Sequence, residues 1–263
     1  MPVEPRAIES LLGFWVEAGI DAALLDSPLD RLAERPRPTS PPRPAAATPV
    51  AASTGPDVSG AIAEARRLAA AAGDLAALGA AIAAFEGCAL RYEGARQAVF
   101  SRGAADAPLM VIGEAPGGDE DAQGAPFVGR AGKLLDKMLA AAGLSDRVFI
   151  TNTVFWRPPG NRNPTPQEQL VCAPFLERAI ALVQPKLLML AGGQAAKAML
   201  QRPEGILALR GRWFDWASSD GALALPALPT LHPAFLLRQP AAKKRAWADI
   251  MMLAERLDRP ERP

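Results

Sequence analysis

From Pro108 onward, short apolar runs alternate with stretches in which apolar residues recur every three or four positions. The runs Leu109–Ile112, Val148–Asn152, Lys186–Ala191 and Leu228–Leu231 have the length and composition of strands buried on both faces. Helical periodicity falls between them, near Lys133–Ala142, Pro166–Val183 and Gln194–Leu200, and again from about Ala241 to Leu257. Strands alternating with helices predict an α/β fold: a three-layer α/β/α sandwich around a central four-stranded parallel sheet. Thr165, Pro166 and Glu168 supply the cap, the first-turn proline and the capping-box acid of one helix start. Pro174 predicts a kink or a split in that helix, and Trp247, Ile250, Met251 and Ala254 mark the expected buried stripe of the last one.

Before this region the pattern is different. Ile8, Leu11, Leu12, Trp15, Val16 and Ile20 fall at helical spacing and predict an N-terminal amphipathic helix within residues 1–35. Residues 36–56 hold seven prolines among Ala, Ser and Thr, a composition that cannot bury enough apolar surface to offset chain entropy, so a disordered linker is expected there. An Ala-rich helical lead-in follows over 57–86, and the main α/β domain is expected over 87–258.

Composition changes this picture little. The chain of 263 residues carries a net charge of +1. That value averages an acidic start, with 7 Lys or Arg against 10 Asp or Glu over residues 1–74, and a weakly basic remainder with 22 against 18. No apolar stretch reaches the ~18 residues needed to span a bilayer, and the N-terminus lacks a secretory pattern, so the chain is expected to be soluble, cytoplasmic and without a membrane partner. Cys88 and Cys172 are too few for a disulfide framework or an all-thiolate metal site and suit a reducing compartment.

Candidate chemistry gathers where ligands bind parallel sheets, beyond the carboxyl ends of the strands. Glu114 with Ala115 and Pro116 follows the first strand, Asn152 ends the second, Gly192-Gly193 follows the third, and His232-Pro233 follows the fourth. The first loop continues through Glu120 and a glycine-rich segment, Gly124 to Gly132, that contains Phe127. Backbone amides in such a loop can approach an anionic ligand closely. The loop from Trp156 to Pro164 is stiffened by prolines and carries Arg157 and Arg162, which suits a DNA backbone. After His232, the sequence Phe235-Leu236-Leu237-Arg238 offers apolar wedges and a cation. His232 is the only histidine in the chain, so any imidazole chemistry must use it and a site needing two histidines is excluded.

Taken in order, Gly113 to Gly117 with Glu120-Asp121, Gly124 to Gly132, Thr151-Asn152, the Arg157 to Pro164 loop and His232 to Arg238 resemble the family 4 uracil-DNA glycosylases. The resemblance implies an enzyme that flips uracil out of DNA and hydrolyses its N-glycosidic bond, acting as a monomer on DNA containing uracil. It implies Glu114, His232 and Glu120 as catalytic residues. Ala115, Pro116, Phe127 and Asn152 would bind the base, with Phe127 stacking on it and Asn152 reading its polar edge. Arg157, Arg162, Leu236, Leu237 and Arg238 would contact DNA.

The chain departs from the family at the iron–sulfur cluster. The resemblance implies four cysteine ligands, of which Cys88 and Cys172 stand at two places while Phe85 and Trp156 occupy the others. Two thiolates cannot supply four ligands, so no metal and no 4Fe-4S cofactor is expected, and packing by the two aromatics is expected to replace it. The pocket residues are all retained. Two rival readings remain: an inactive DNA-binding protein that kept the fold, and a phosphate-binding hydrolase using the glycine loop.

Overall fold

The computed structural model describes residues 58–259. The expected N-terminal helix and the proline-rich linker lie outside the described residues. Two helices open the described chain, α1 (Val58–Ala71) and α2 (Leu75–Ala84), the second capped by Asp74, whose carboxylate accepts from Ala77 N at 2.7 Å. There follow β1 (Arg102–Gly103), β2 (Leu109–Gly113), α3 (Gly118–Gln123), α4 (Arg130–Ala141), β3 (Val148–Asn152), α5 (Pro166–Val183), β4 (Leu187–Ala191), α6 (Gly193–Leu200), α7 (Ile206–Leu209), β5 (Phe214–Ala217), β6 (Ala224–Thr230), α8 (Pro233–Arg238) and α9 (Lys243–Asp258).

The six strands are ordered β1-β3-β2-β4-β6-β5. The four expected strands are the central, mutually parallel ones; β1 and β5 add an antiparallel edge on either side. All five residues of β2, β3 and β4 are buried, as a sheet covered on both faces requires. Alternation along these strands sorts side chains into two cores. Met110, Ile112, Phe149, Leu188 and Leu190 face one layer, with residues of α1, α2 and α5. Leu109, Val111, Val148, Ile150 and Met189 face the other, with Leu135 and Leu139 of α4 and Ile250 and Leu253 of α9. The result is the expected three-layer sandwich.

Several local expectations shift. Helix α5 has the foreseen capping box, Glu168 N to Thr165 Oγ1 at 3.2 Å and Thr165 N to Glu168 Oε2 at 2.7 Å. It then runs as one helix through Pro174 rather than splitting. The carbonyl that proline leaves without a partner belongs to Leu170, an exposed residue, where water can satisfy it. Strand β6 begins four residues earlier than expected, because Pro226 and Pro229 lower the strand signal of a segment that tertiary pairing nonetheless places in the sheet. In α9 the expected Ile250 and Ala254 are buried, together with Ala246, Leu253 and Leu257, whereas Trp247 and Met251 are exposed. Among the described residues no helix is long and apolar enough to cross a membrane.

Candidate active site

Register decides what meets at the carboxyl edge. Gly113 pairs with Asn152 across β2 and β3, and Ala191 pairs with Thr230 across β4 and β6. Gly192 N donates to Thr230 O at 2.9 Å, which brings the β4 loop against His232. Gly192 has φ +102°, and a Cβ on it would lie 3.0 Å from His232 Cβ, so glycine answers both the backbone angle and the close approach. At this edge a cavity of about 530 Å³ is lined by Glu114, Ala115, Pro116, Gly117, Glu120, Phe127, Ala131, His232, Ala234, Phe235 and Arg238, with Pro158 and Asn161 to Asn163 from the basic loop. Of the residues expected to converge, Glu114 and His232 line this concavity together with the basic loop, whereas Asn152, Gly192 and Gly193 are not among its lining residues.

Phe127 and His232 face each other with ring centroids 5.6 Å apart and planes inclined by 31°. Phe127 adopts φ +55°, an uncommon conformation for a bulky side chain and one of the strained backbone positions that concentrate at functional sites. The strain is held from outside the loop. Arg102 on β1 donates to Pro126 O at 2.7 Å and Phe127 O at 3.1 Å while pairing with Asp136 of α4 at 2.6 Å. Nothing in the local sequence marked Arg102, since its targets lie 24 and more residues away.

Asn152 does not line the cavity; it lies behind Gly113, next to the lining residue Phe127. A Cβ on Gly113 would come within 2.6 Å of the Phe127 ring and closer still to Asn152 Oδ1, so the glycine leaves room for both groups. Asn152 has the strand parity of Val148 and Ile150, which turns it toward the layer that holds Phe127. Its Oδ1 is buried and accepts no hydrogen bond among the described residues. A buried acceptor without a partner is costly, and such a group calls for a ligand or another explanation.

The ionisable groups divide by environment. Burial raises the Glu114 carboxyl to about 7, and no described side chain or amide donates to it. Burial, with a smaller contribution from the Arg238 charge, lowers His232 to about 4. His232 also caps α8, its Nδ1 accepting from Ala234 N at 3.1 Å. With Nδ1 an acceptor, the neutral ring carries its proton on Nε2. Glu120 is committed to structure: Oε1 accepts from Val128 N and Gly129 N, both at 2.9 Å, and Oε2 from Gly117 N at 3.1 Å. Three backbone donors thus fasten the first loop to the Phe127 loop through one carboxylate.

The expected DNA residues separate as well. Arg157 donates to Asn161 Oδ1 at 2.8 Å and has no ion pair among the described residues. Arg162 is bound by both Glu168 oxygens, at 2.9 and 2.7 Å, and by Glu93 at 3.0 Å, and these carboxylates hold it well above its ordinary value. Two acids offset its charge, so Arg162 lines the cavity as part of a strut more than as a phosphate contact. Leu236 is 1% exposed and packs with Leu231 and Ala246, which corrects the expectation that it enters DNA, while Leu237 is 37% exposed. The segment after His232, expected as a loop, is the short helix α8.

The implied cluster places do not fit four thiolates. Phe85 and Trp156 are each 2% exposed, with centroids 6.5 Å apart, and Phe85 packs edge-on against Phe175 at 5.1 Å. Cys88 and Cys172 are free, buried thiols in the same core. The hydrogen bond between them and burial push Cys172 well above the usual thiol range. Among the described residues no group of three or more His, Cys, Asp and Glu is placed to hold a metal ion.

Comparison with known proteins agrees with this geometry. The profile of the uracil DNA glycosylase superfamily matches residues 100–251. A type-4 uracil-DNA glycosylase of Sulfurisphaera tokodaii is 37% identical over 171 residues, covering 63% of this chain and 77% of that protein. Its counterpart in Saccharolobus solfataricus is 39% identical over 168 residues, covering 62% and 77%, and that of Thermotoga maritima 38% over 142 residues, covering 53% and 71%. With the profile spanning the sheet and every loop of the cavity, the chain belongs to the uracil-DNA glycosylase superfamily.

Proposed function

We propose that the cavity receives a uracil flipped from DNA and that the chain hydrolyses its N-glycosidic bond, as the names of its type-4 relatives indicate for those proteins. The observation that carries the reading is the orphaned Asn152 Oδ1 beside Phe127. Uracil presents an N3–H donor and an O4 acceptor. The Asn152 amide offers the complementary acceptor and donor, whereas cytosine presents the reverse pattern and would leave both pairs unmatched. Phe127 supplies a stacking face, and stacking contributes ~1–3 kcal/mol per base.

Hydrolysis breaks C1′–N1 and forms a bond from C1′ to a water oxygen, with the base taking a proton. As the bond stretches, the sugar becomes cationic and the uracil ring gains negative charge on its oxygens. The Nε2–H of a neutral His232 is a donor for the pyrimidine oxygen, and its hydrogen bond strengthens as that charge develops. A neutral imidazole serves because it keeps its proton throughout. Glu114, once ionised, opposes the sugar cation or orients the water. Glu120 holds the two loops in register and acts on the reaction only through them.

The two ligand places taken by Phe85 and Trp156 support a variant without the iron–sulfur cluster, in which aromatic packing fills the space between α2, α5 and the basic loop. No step of the proposed reaction passes through a metal. The decisive test is incubation of purified protein with an oligonucleotide containing one uracil, followed by alkali. Strand breakage at uracil is expected; intact strands together with retained DNA binding would favour a non-catalytic DNA-binding protein.

A further inference from the structure

Two helices of this domain begin with cations, where the helix dipole favours acids. Helix α4 opens on Arg130, and α9 on Lys243 and Lys244, and neither has an acidic residue in its first turn. The contrast within the chain is clear: α3 opens with Asp119, Glu120 and Asp121, and α5 has Glu168 in its first turn. On α4 the exposed Arg130, Lys133 and Lys137 stand at positions i, i+3 and i+7, which lie within about 60° of one another around the helix. They form a ridge beside Leu134 and Met138, the residues through which α4 joins Leu236 of α8 and Ala246 of α9 in a small apolar cluster. That cluster draws three cationic segments together: the α4 ridge, Arg238 at the cavity mouth, and Lys243 with Lys244.

None of these cations has an ion pair among the described residues. Of the nearby acids, Asp136 pairs with Arg102 and Asp249 with Arg210, Glu120 accepts from the Val128 and Gly129 amides at the start of α4, and Asp119 lies beside Gly129 without an ion pair to the ridge. From Leu231 to Ala248 there is no acidic residue at all. Trp247 lies one helical turn beyond Lys243 and is 37% exposed, so an aromatic face sits on the same side of α9 as the cations. Concentrated charge with no ion pair of its own is arranged for an external anion.

We propose that α4 and α9 form a cationic surface, continuous with the cavity mouth at Arg238, that binds the phosphates of the DNA strand flanking the flipped nucleotide. This rests on the uracil-excision reading and extends it to a surface outside the base pocket. The dimensions agree with a backbone. Arg130 to Lys137 spans about 10 Å of helix axis, at 1.5 Å per residue. That is roughly three phosphates at an axial spacing of ~3.4 Å along one strand. Phosphate contacts position DNA without reading its sequence, so the surface should act equally on DNA with and without uracil.

The test is the salt dependence of binding to a labelled oligonucleotide. Two double variants, Lys133→Gln with Lys137→Gln and Lys243→Gln with Lys244→Gln, are compared with the parent. The control is Lys186→Gln, an exposed cation just before β4, at the opposite end of the sheet. Each double variant should flatten the slope of log affinity against log salt by about 1.4–1.8 and weaken binding roughly 10-fold or more at 0.1 M salt. The loss should appear in Kd and KM more than in kcat, and to the same extent on uracil-free DNA. Either double variant retaining the parental slope overturns the proposal, as does an equal effect per charge from Lys186→Gln. A parent protein that binds DNA with the full slope yet leaves uracil in place would instead refute the excision reading and leave this surface standing.

Discussion

Replacing His232 by alanine removes two things that the structure places on one ring. The first is the cap on α8, the acceptance by Nδ1 of the Ala234 N–H at 3.1 Å, whose loss typically costs about 1 kcal/mol of stability. In a domain of this size that lowers Tm by about 2–4 °C. The second is the Nε2–H donor facing the cavity. One preorganised donor to a developing oxyanion is commonly worth ~10²–10³ in rate, or about 2.7–4 kcal/mol. The two losses separate in His232→Asn. Asparagine is among the best capping residues and should restore Tm, but its shorter amide cannot replace Nε2 at its distance from the backbone. Single-turnover excision with enzyme in excess, read by alkaline cleavage, and thermal melting of the same preparations give both quantities. The expected pattern is slow excision in both variants with a lowered Tm only in the alanine form. His232→Ala at the parental rate would refute the donor role, and slow excision by alanine with full activity in asparagine would reduce His232 to a cap.

Glu114 titrates near 7, so if its carboxylate is the working form the single-turnover rate should rise through that pH, and Glu114→Gln should lose about 10²–10⁴ in rate along with that limb of the profile. A Gln variant with an unchanged pH profile would reject the assignment. The same shifts predict opposing stability trends. Glu114, raised from 4.5, favours folding below 4.5 and loses that contribution as pH rises through 7; His232, lowered from 6.5, contributes above 6.5 and loses it as pH falls through 4. The two trends oppose each other between pH 4.5 and 6.5 and so offset there, and denaturant melts should show Glu114→Gln more stable than the parent at pH 8. Asn152→Ala should cost about 1–3 kcal/mol in kcat/KM on uracil through the base edge left unpaired, and Phe127→Ala a similar amount through lost stacking. Parental kcat/KM in both would show the pocket to be misassigned. Anaerobically purified protein should be colourless and contain no stoichiometric iron, which metal analysis and visible absorbance check directly.

Much of this protein can be read along the chain because the informative signals are local. An apolar run such as Leu109–Gly113 demands burial on both faces, and a parallel sheet meets that demand wherever its neighbours come from. Thr165 and Glu168 specify a helix start through bonds three residues apart. The positions of Glu114 and His232 just beyond strand ends, and of Asn152 at the end of one, place them at one edge once the strands are known to be parallel. Strands β1 and β5 escaped notice because a two-residue edge and a four-residue partly exposed one carry too little pattern, and only pairing with β3 and β6 defines them.

What tertiary structure alone decided concerns the state of each residue rather than its presence. Glu120 reads as a candidate acid in the sequence, but folding brings Gly117, Val128 and Gly129 amides onto its carboxylate and spends it on holding two loops. Arg162 loses its free charge to Glu93, 69 residues away, and to Glu168. Leu236 and Leu237 are adjacent and chemically identical, yet the packing of α8 against α4 and α9 buries one and exposes the other. Residue types follow from the chain; burial, pairing and protonation follow from which distant segments close around them, because desolvation and hydrogen bonding are set by neighbours in space.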